Sequence, residues 1–443
     1  MISLLRRPRG GVYPDNRKAR TRTLPVWNAA VPPRSVVPLL QHAGDASIPV
    51  VRVGDRVREG MLIGRAAGTM GANVHAPVPG IVTGLRTLTL ADGRRCEAFV
   101  IDLEGEFDRL GKHTDPYDWD RASVRELLRR IGDCGVVGMS GSGIPVHRKY
   151  RLPRGKEVDH LIVNGIENEP YLSADYRLMV EMTDGVLEGT RIAERILKPL
   201  RVTIAVQADS TAAASGLRQR IRERGLGYAV RCLPRNYPQG DEKLLARAIT
   251  GREVPTERST VEIGVMVSSV ATVHAVFEAV AYEKPSIERV LTLSGGALRT
   301  PANVKARIGT PVADLIAECG GFAAMPEKVV IGGPMMGYAI ADVSTPVTKG
   351  TTAVLALTTR EIHHGSETPC IRCGRCVRAC PVGLEPTLLY KMLEHHEYVE
   401  ARDTGLFDCI ECGCCGFTCP AHIPLVEGIK NGKNAARTAK ERS

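Results

Sequence analysis

Aromatic side chains are scarce in this 443-residue chain, with six Phe and two Trp, and no basic stripe carries rings between its charges. That scarcity excludes the stacking platforms on which proteins hold single-stranded nucleic acid. No apolar run approaches the roughly 18 residues of a transmembrane helix, so the chain is not expected to span a membrane. Residues 1–11 are basic but lack the apolar core of a signal peptide. Four cysteines, Cys96, Cys134, Cys232 and Cys319, stand without paired spacing. Lone cysteines of this kind are small buried hydrophobes in a reducing compartment, the cytoplasm by default. Charge is not lacking. Lys and Arg number 59 against 49 Asp and Glu, for a net +10. Residues 428–443, with Lys430, Lys433, Arg437, Lys440 and Arg442, read as a basic tail, either solvated and frayed or leaning on anionic lipid or an acidic partner.

The other cysteines are highly ordered. Cys370-x2-Cys373-x2-Cys376-x3-Cys380-Pro381 and Cys409-x2-Cys412-x2-Cys415-x3-Cys419-Pro420 repeat one pattern at an interval of 39 residues. This is the ligand set of a two-cluster ferredoxin, in which the Cys before each Pro serves the other cluster. The spacing assigns Cys370, Cys373, Cys376 and Cys419 to one 4Fe-4S cluster, and Cys409, Cys412, Cys415 and Cys380 to the second. Zinc would take two separated pairs, and a disulfide framework belongs to small secreted domains. Cys414 is a spare thiol that breaks the symmetry.

Upstream, residues 51–64 and 75–82 alternate apolar and polar residues between glycine turns, which predicts a small N-terminal barrel-sandwich over residues 1–115. It is similar to the biotinyl and lipoyl carrier sandwich, but no lysine stands at the hairpin tip, residues 70–74, to carry a prosthetic group. From residue 116 to 284 strands alternate with helices, predicting a Rossmann-like open α/β sheet with one long helix over residues 174–196. Residues 285–345 read as a β-grasp unit, residues 360–427 as the two-cluster ferredoxin domain with a joining helix over 386–402, and residues 428–443 as the tail. The whole is a multidomain α/β chain.

Three loops could carry chemistry. Residues 135–149 hold four glycines within nine positions and then His147, Arg148 and Lys149, a candidate phosphate cradle or a surface turn. Residues 164–171, Asn-Gly-Ile-Glu-Asn-Glu-Pro-Tyr, follow a buried strand, at the edge where open α/β sheets bind ligands. Residues 237–243 open a helix, where Asp241 and Glu242 complement its dipole.

Together with Gly10–Pro14, residues 250–255 and the Gly332–Gly337 loop, these phrases in this order resemble the RnfC family of the Rnf complex across essentially the whole chain. The flavin domain is also similar to the FMN-binding subunit of complex I, and the β-grasp unit to an SLBB domain. The resemblance implies a peripheral subunit on the cytoplasmic face of the cell membrane. It would pass electrons between NADH, FMN and two 4Fe-4S clusters, toward membrane subunits and another electron-transfer subunit. It implies Gly138, Gly141, Gly143 and Lys149 around the FMN, Asn164, Glu167 and Glu169 along the flavin and nucleotide, and Glu242 nearby. The chain departs from the family at Ser140, Ser142 and Ile144 in the glycine loop, and at Ser268-Ser269, where the family tends to place Asn. Two rivals follow: an iron-sulfur relay and docking subunit without flavin, and a soluble flavin and iron-sulfur reductase similar to cobalamin reductase.

Overall fold

The computed structural model describes residues 10–107, 115–362 and 365–441. Short alternating strands build the N-terminal unit. One antiparallel sheet runs Arg34–Pro38, Arg95–Leu103, Gly80–Thr89, Arg56–Val57, and a second is made of Ile48–Pro49, Leu62–Arg65 and Val74–His75. Alternation puts Val37, Val82, Phe99 and Ile101 of the first against Ile63 and Val74 of the second, closing a sandwich.

The next unit is a sheet of four parallel strands in the order Ala229–Leu233, Arg201–Gln207, His160–Gly165, Val265–Ser269. Its strands are nearly continuous apolar runs, as parallel strands covered by helices must be. The long helix expected over residues 174–196 is two helices, Ala174–Glu181 and Thr183–Leu197, broken at Met182. The break separates two packing roles. Ala174–Glu181 touches the helices Thr211–Glu223 and Val270–Tyr282 and also lies on strands of the neighbouring sheet, whereas Thr183–Leu197 packs chiefly on the helix Val270–Tyr282. That second contact is so close that a Cβ on Gly189 would stand 1.7 Å from the Val273 carbonyl oxygen.

A six-stranded mixed sheet follows, ordered Val26–Asn28, Ala302–Arg307, Glu288–Ser294, Ala353–Leu357, Lys328–Ile331, Tyr338–Ile340, with the helix Val312–Glu318. Two expected boundaries shift here. Ala353–Leu357 lies beyond residue 345, yet it is fully buried and sits in the middle of this sheet. Val26–Asn28 falls within residues 1–115 but pairs in parallel with Ala302–Arg307. Both strands are recruited by long-range hydrogen bonding, which no local composition reveals.

The ferredoxin unit also corrects the sequence reading. Its joining helix is two helices, Pro386–Glu394 and Tyr398–Asp403, separated at His396, whose φ is 61°. The expected basic tail is the body of the helix Leu425–Glu441, where Ile429 joins Leu389, Leu393, Ala401 and Leu406 in a small core. Its cations are engaged: Lys430 lies 4.6 Å from the Tyr338 ring centre and Arg437 5.6 Å from that of Phe407. Arg442 and the side chain of Lys440 lie outside the described residues. Among the described residues no helix is long and apolar enough to cross a membrane.

Candidate functional site

The two Cys-x2-Cys-x2-Cys loops share one backbone path. Arg372 and Glu411 take left-handed φ of 54° and 56° at equivalent positions, and Gly374 and Gly413 take 67° and 82°. Left-handed residues fold each loop back on itself. The amides of Arg372 and Glu411 each donate to the first sulfur of their loop, Cys370 and Cys409 Sγ, at 3.4 Å. Cys370, Cys373, Cys376 and Cys419 line one cavity of about 290 Å³. Cys380, Cys409, Cys412 and Cys415 line a second, much tighter hollow, together with Cys414. Each set thus combines three cysteines of one run with the last of the other, and every cysteine is free of disulfides. Four cysteine thiols in each lining are the donor set of a cubane cluster, so the residues present fit that group in their chemistry.

The tight hollow is built into a junction of several units. Tyr237 donates its hydroxyl to the Cys412 carbonyl at 2.6 Å, and Val12 and Tyr237 exchange backbone hydrogen bonds at 2.9 Å. Val12, Tyr237, Ala379, Cys412 and Cys414 are buried together, with Met335 against them. A Cβ on Gly413 would lie 2.7 Å from the Met335 carbonyl oxygen. Three motifs singled out in the sequence, at residues 10–14, 237–240 and 332–337, therefore meet at one sulfur-lined hollow. Cys414, treated as spare, is buried among them, its thiol facing the Tyr237 carbonyl at 3.8 Å.

Glu169 ties this junction to the parallel sheet. Its carboxylate accepts from the Met335 and Met336 amides at 3.1 and 3.0 Å, and the Tyr237 hydroxyl lies 3.4 Å away. Burial pushes its pKa up to about 7 against those donors. Glu167 faces elsewhere. It accepts from the Asp175 and Tyr176 amides at 2.9 and 3.3 Å, at the start of the helix Ala174–Glu181. Its counterion is Lys18, 3.9 Å away and buried. Burial raises the Glu167 pKa and lowers that of Lys18, each opposed by the other's charge.

The glycine loop and the acidic loop collect at the carboxyl edge of the parallel sheet. Asn164 and Ser269 face each other in register there, at the strand ends where such sheets bind ligands. Asn164 donates to the Gly240 carbonyl at 2.9 Å, and Lys149 pairs with Glu242 at 2.8 Å. Within the loop, the Gly138 amide donates to Ile144 O at 2.8 Å, and the Gly143 carbonyl is held by the Ala43 amide of the N-terminal sandwich at 2.9 Å. Gly141 is the open member: its φ is 101° and a Cβ there would meet nothing within 4 Å. Ser140 and Ser142 are exposed beside it, and the buried Nε of Arg148 has no hydrogen-bond partner among the described residues. An open glycine backbone with cations beside it fits a phosphate-bearing ligand in its chemistry. Ser269 instead caps the helix Val270–Tyr282 by accepting from Thr272 N at 3.2 Å, and Ser268 bonds the Tyr150 hydroxyl at 2.9 Å.

Three lysines with site roles escaped the sequence reading. Lys18 neutralises Glu167. Lys349 Nζ donates to the Asn73 and Gly135 carbonyls, both at 2.7 Å, stapling the sandwich to the glycine loop. Burial drops its pKa to about 7. Lys433 Nζ donates to the Cys409 carbonyl and pairs with Glu411 at 2.8 Å. The proximity of Lys18 to the Gly10–Pro14 motif was one signal; for the other two there was none.

Comparison with known proteins finds four family models laid end to end. Residues 7–106 match the RnfC barrel sandwich hybrid domain, 131–278 the Nuo51 FMN-binding domain, 290–339 the SLBB domain and 364–420 a 4Fe-4S dicluster domain. The chain is 39% identical over 440 residues to a subunit of the proton-translocating ferredoxin:NAD(+) oxidoreductase complex of Clostridium ljungdahlii, covering 99% of this chain and 96% of that one. This chain belongs to the RnfC family. A second member, a subunit of the ion-translocating oxidoreductase complex of Rhodobacter capsulatus, is 38% identical over 427 residues, 96% of this chain and 82% of its own. In Pseudomonas aeruginosa a further member is 38% identical over 436 residues, 98% of this chain and 56% of its own. Among solved structures, an NAD+-reducing NiFe-hydrogenase in its H2-reduced state superposes with a TM-score of 0.51 at 16% identity, over 71% of this chain and 60% of that one. That likeness is one of fold.

Proposed function

We propose that this chain is the peripheral electron-transfer subunit of an Rnf-type ion-translocating ferredoxin:NAD oxidoreductase, docked on membrane subunits at the cytoplasmic face. Cys370, Cys373, Cys376 and Cys419 hold one 4Fe-4S cluster, and Cys409, Cys412, Cys415 and Cys380 the other. Gly138, Gly141, Gly143 and Lys149 surround FMN, with Asn164 and Glu242 on its nucleotide side, while Glu167 and Glu169 brace the acidic loop from within. When bound, the flavin exchanges electron pairs with NADH and the clusters conduct electrons singly.

The residues contribute placement. One observation carries the reading: Tyr237 and Glu169 join the carboxyl edge of the parallel sheet directly to the Cys412 loop, so the flavin edge and the tight hollow are neighbours in one packed unit. Lys149 stands at the mouth of the glycine loop with Glu242 as counterion. The test is the ratio of acid-released FMN to total iron in anaerobically purified protein. About eight iron with one FMN is expected. About eight iron without flavin would leave an iron-sulfur relay. That second reading draws on Ser142, whose hydroxyl lies 2.3 Å from where a Cβ on Gly138 would stand, and so occupies part of the loop.

A further inference from the structure

The cavity lined by Cys370, Cys373, Cys376 and Cys419 is also lined by three cations, Arg372, Arg375 and Lys391, and by no acidic residue. All three are exposed, as is Arg378. Between them stand two exposed apolar side chains, Ile371 (68% exposed) and Leu388 (39%). Loop folding does not demand these charges, because the positions equivalent to Arg372, Arg375 and Arg378 in the duplicated half are Glu411, Cys414 and Phe417. Nor are they engaged within the fold. Among the described residues the ion pairs of the ferredoxin unit join Arg402 to Glu257 and Lys433 to Glu411, and the rim cations belong to neither. Solvated cations add little to stability. Arranged around an open redox cavity, they raise the encounter rate with an oppositely charged surface, and the apolar pair supplies a small centre from which water can be expelled.

We propose that this rim is the docking face for an electron-transfer protein whose own redox centre lies under an acidic surface. The inference rests on the reading of this chain as an electron-transfer subunit and names the partner's chemistry. In the docked pair one electron crosses between the partner's centre and the cluster held by Cys370, Cys373, Cys376 and Cys419; one centre is oxidised by one electron, the other is reduced by one, and no bond forms or breaks. An anionic lipid surface would also attract these cations, but it takes no electron, and the cations encircle a redox cavity.

The test uses the full-length holoprotein, with flavin and iron assayed first. The probe is a chemically reduced, acidic bacterial ferredoxin with two 4Fe-4S clusters, mixed by stopped flow at rising ionic strength. For the wild type the second-order rate falls about tenfold or more from low to high salt. The R372E/R375E/K391E variant transfers about 10- to 100-fold more slowly at low salt and loses the salt dependence. The R372Q/R375Q/K391Q variant lies between, and R125E/R222E, reversed on other exposed positions, matches the wild type. Reversal that shifts the cluster potential but leaves the salt slope intact would overturn docking in favour of potential tuning. Loss of binding to phosphatidylglycerol vesicles with an unchanged ferredoxin rate would assign the rim to lipid. Wild-type protein without iron would defeat the electron-transfer reading itself, and the docking proposal with it.

Discussion

The two halves of the ferredoxin unit begin from one sequence pattern and end in opposite surroundings. In the first, Cys370 is exposed, the cavity is open and its rim is basic. In the second, Cys412, Cys414 and Cys415 are buried, and the loop is gripped by Tyr237, Val12 and Met335. The two halves keep one backbone path, down to matching left-handed residues, while the positions between the cysteines differ. The cysteines answer to the cluster and the intervening residues answer to neighbours. One half therefore looks inward to the carboxyl edge of the parallel sheet and the other outward to solvent.

Removing a ligand from each half gives the largest contrast. C370S and C412S should each retain about four of about eight iron, but only C412S should also speed hydrogen exchange in residues 10–12 and 237–240, because that loop holds the units together. Equal exchange in the two variants would break the comparison. Next in size is Y237F, which strips the hydroxyl from the Cys412 carbonyl and should cost about 1 to 3 kcal/mol of stability; I371S, on the open rim, should stay within about 0.5 kcal/mol. Thermal midpoints of the holoproteins read both.

Acidity should tighten the inner half. Unfolded, Glu169 titrates near 4.5, and folded at about 7, so between those values the folded state binds more protons. Stability then falls as pH rises from about 4.5 to about 7 and levels off above. A pH series of thermal midpoints should show that slope in the wild type and a shallower one in E169Q. The smallest effect is on potential. K433M leaves Glu411 uncompensated beside Cys409 and should lower the potential of the inner cluster alone, with about 59 mV for each tenfold loss of electron affinity. An EPR-monitored redox titration resolves the two clusters.

Much of this protein was legible in one dimension because its signals are local. Cysteine spacing, the alternation in residues 51–64 and the apolar runs of the parallel strands each reflect contacts within a loop, a hairpin or a strand. The misreadings were non-local. Residues 174–196 look like one helix until the neighbouring sheet claims the first half, and the basic run after Gly428 looks like a tail until Ile429 and Lys433 are seen buried.

By itself the sequence determined the order of the units, the duplication of the ferredoxin loops and the positions of the glycine and acidic loops. All are set by chemistry within a few residues of each cysteine, glycine or strand. The tertiary structure alone decided that residues 10–14, 237–240 and 332–337 meet at one cluster hollow and leave the other open. It also decided that Lys18, Lys349 and Lys433 are buried cations with partners. Such partners are distant in the chain, as Lys349 is from Asn73 and Gly135, and only the packing of units against one another brings them within hydrogen-bond range.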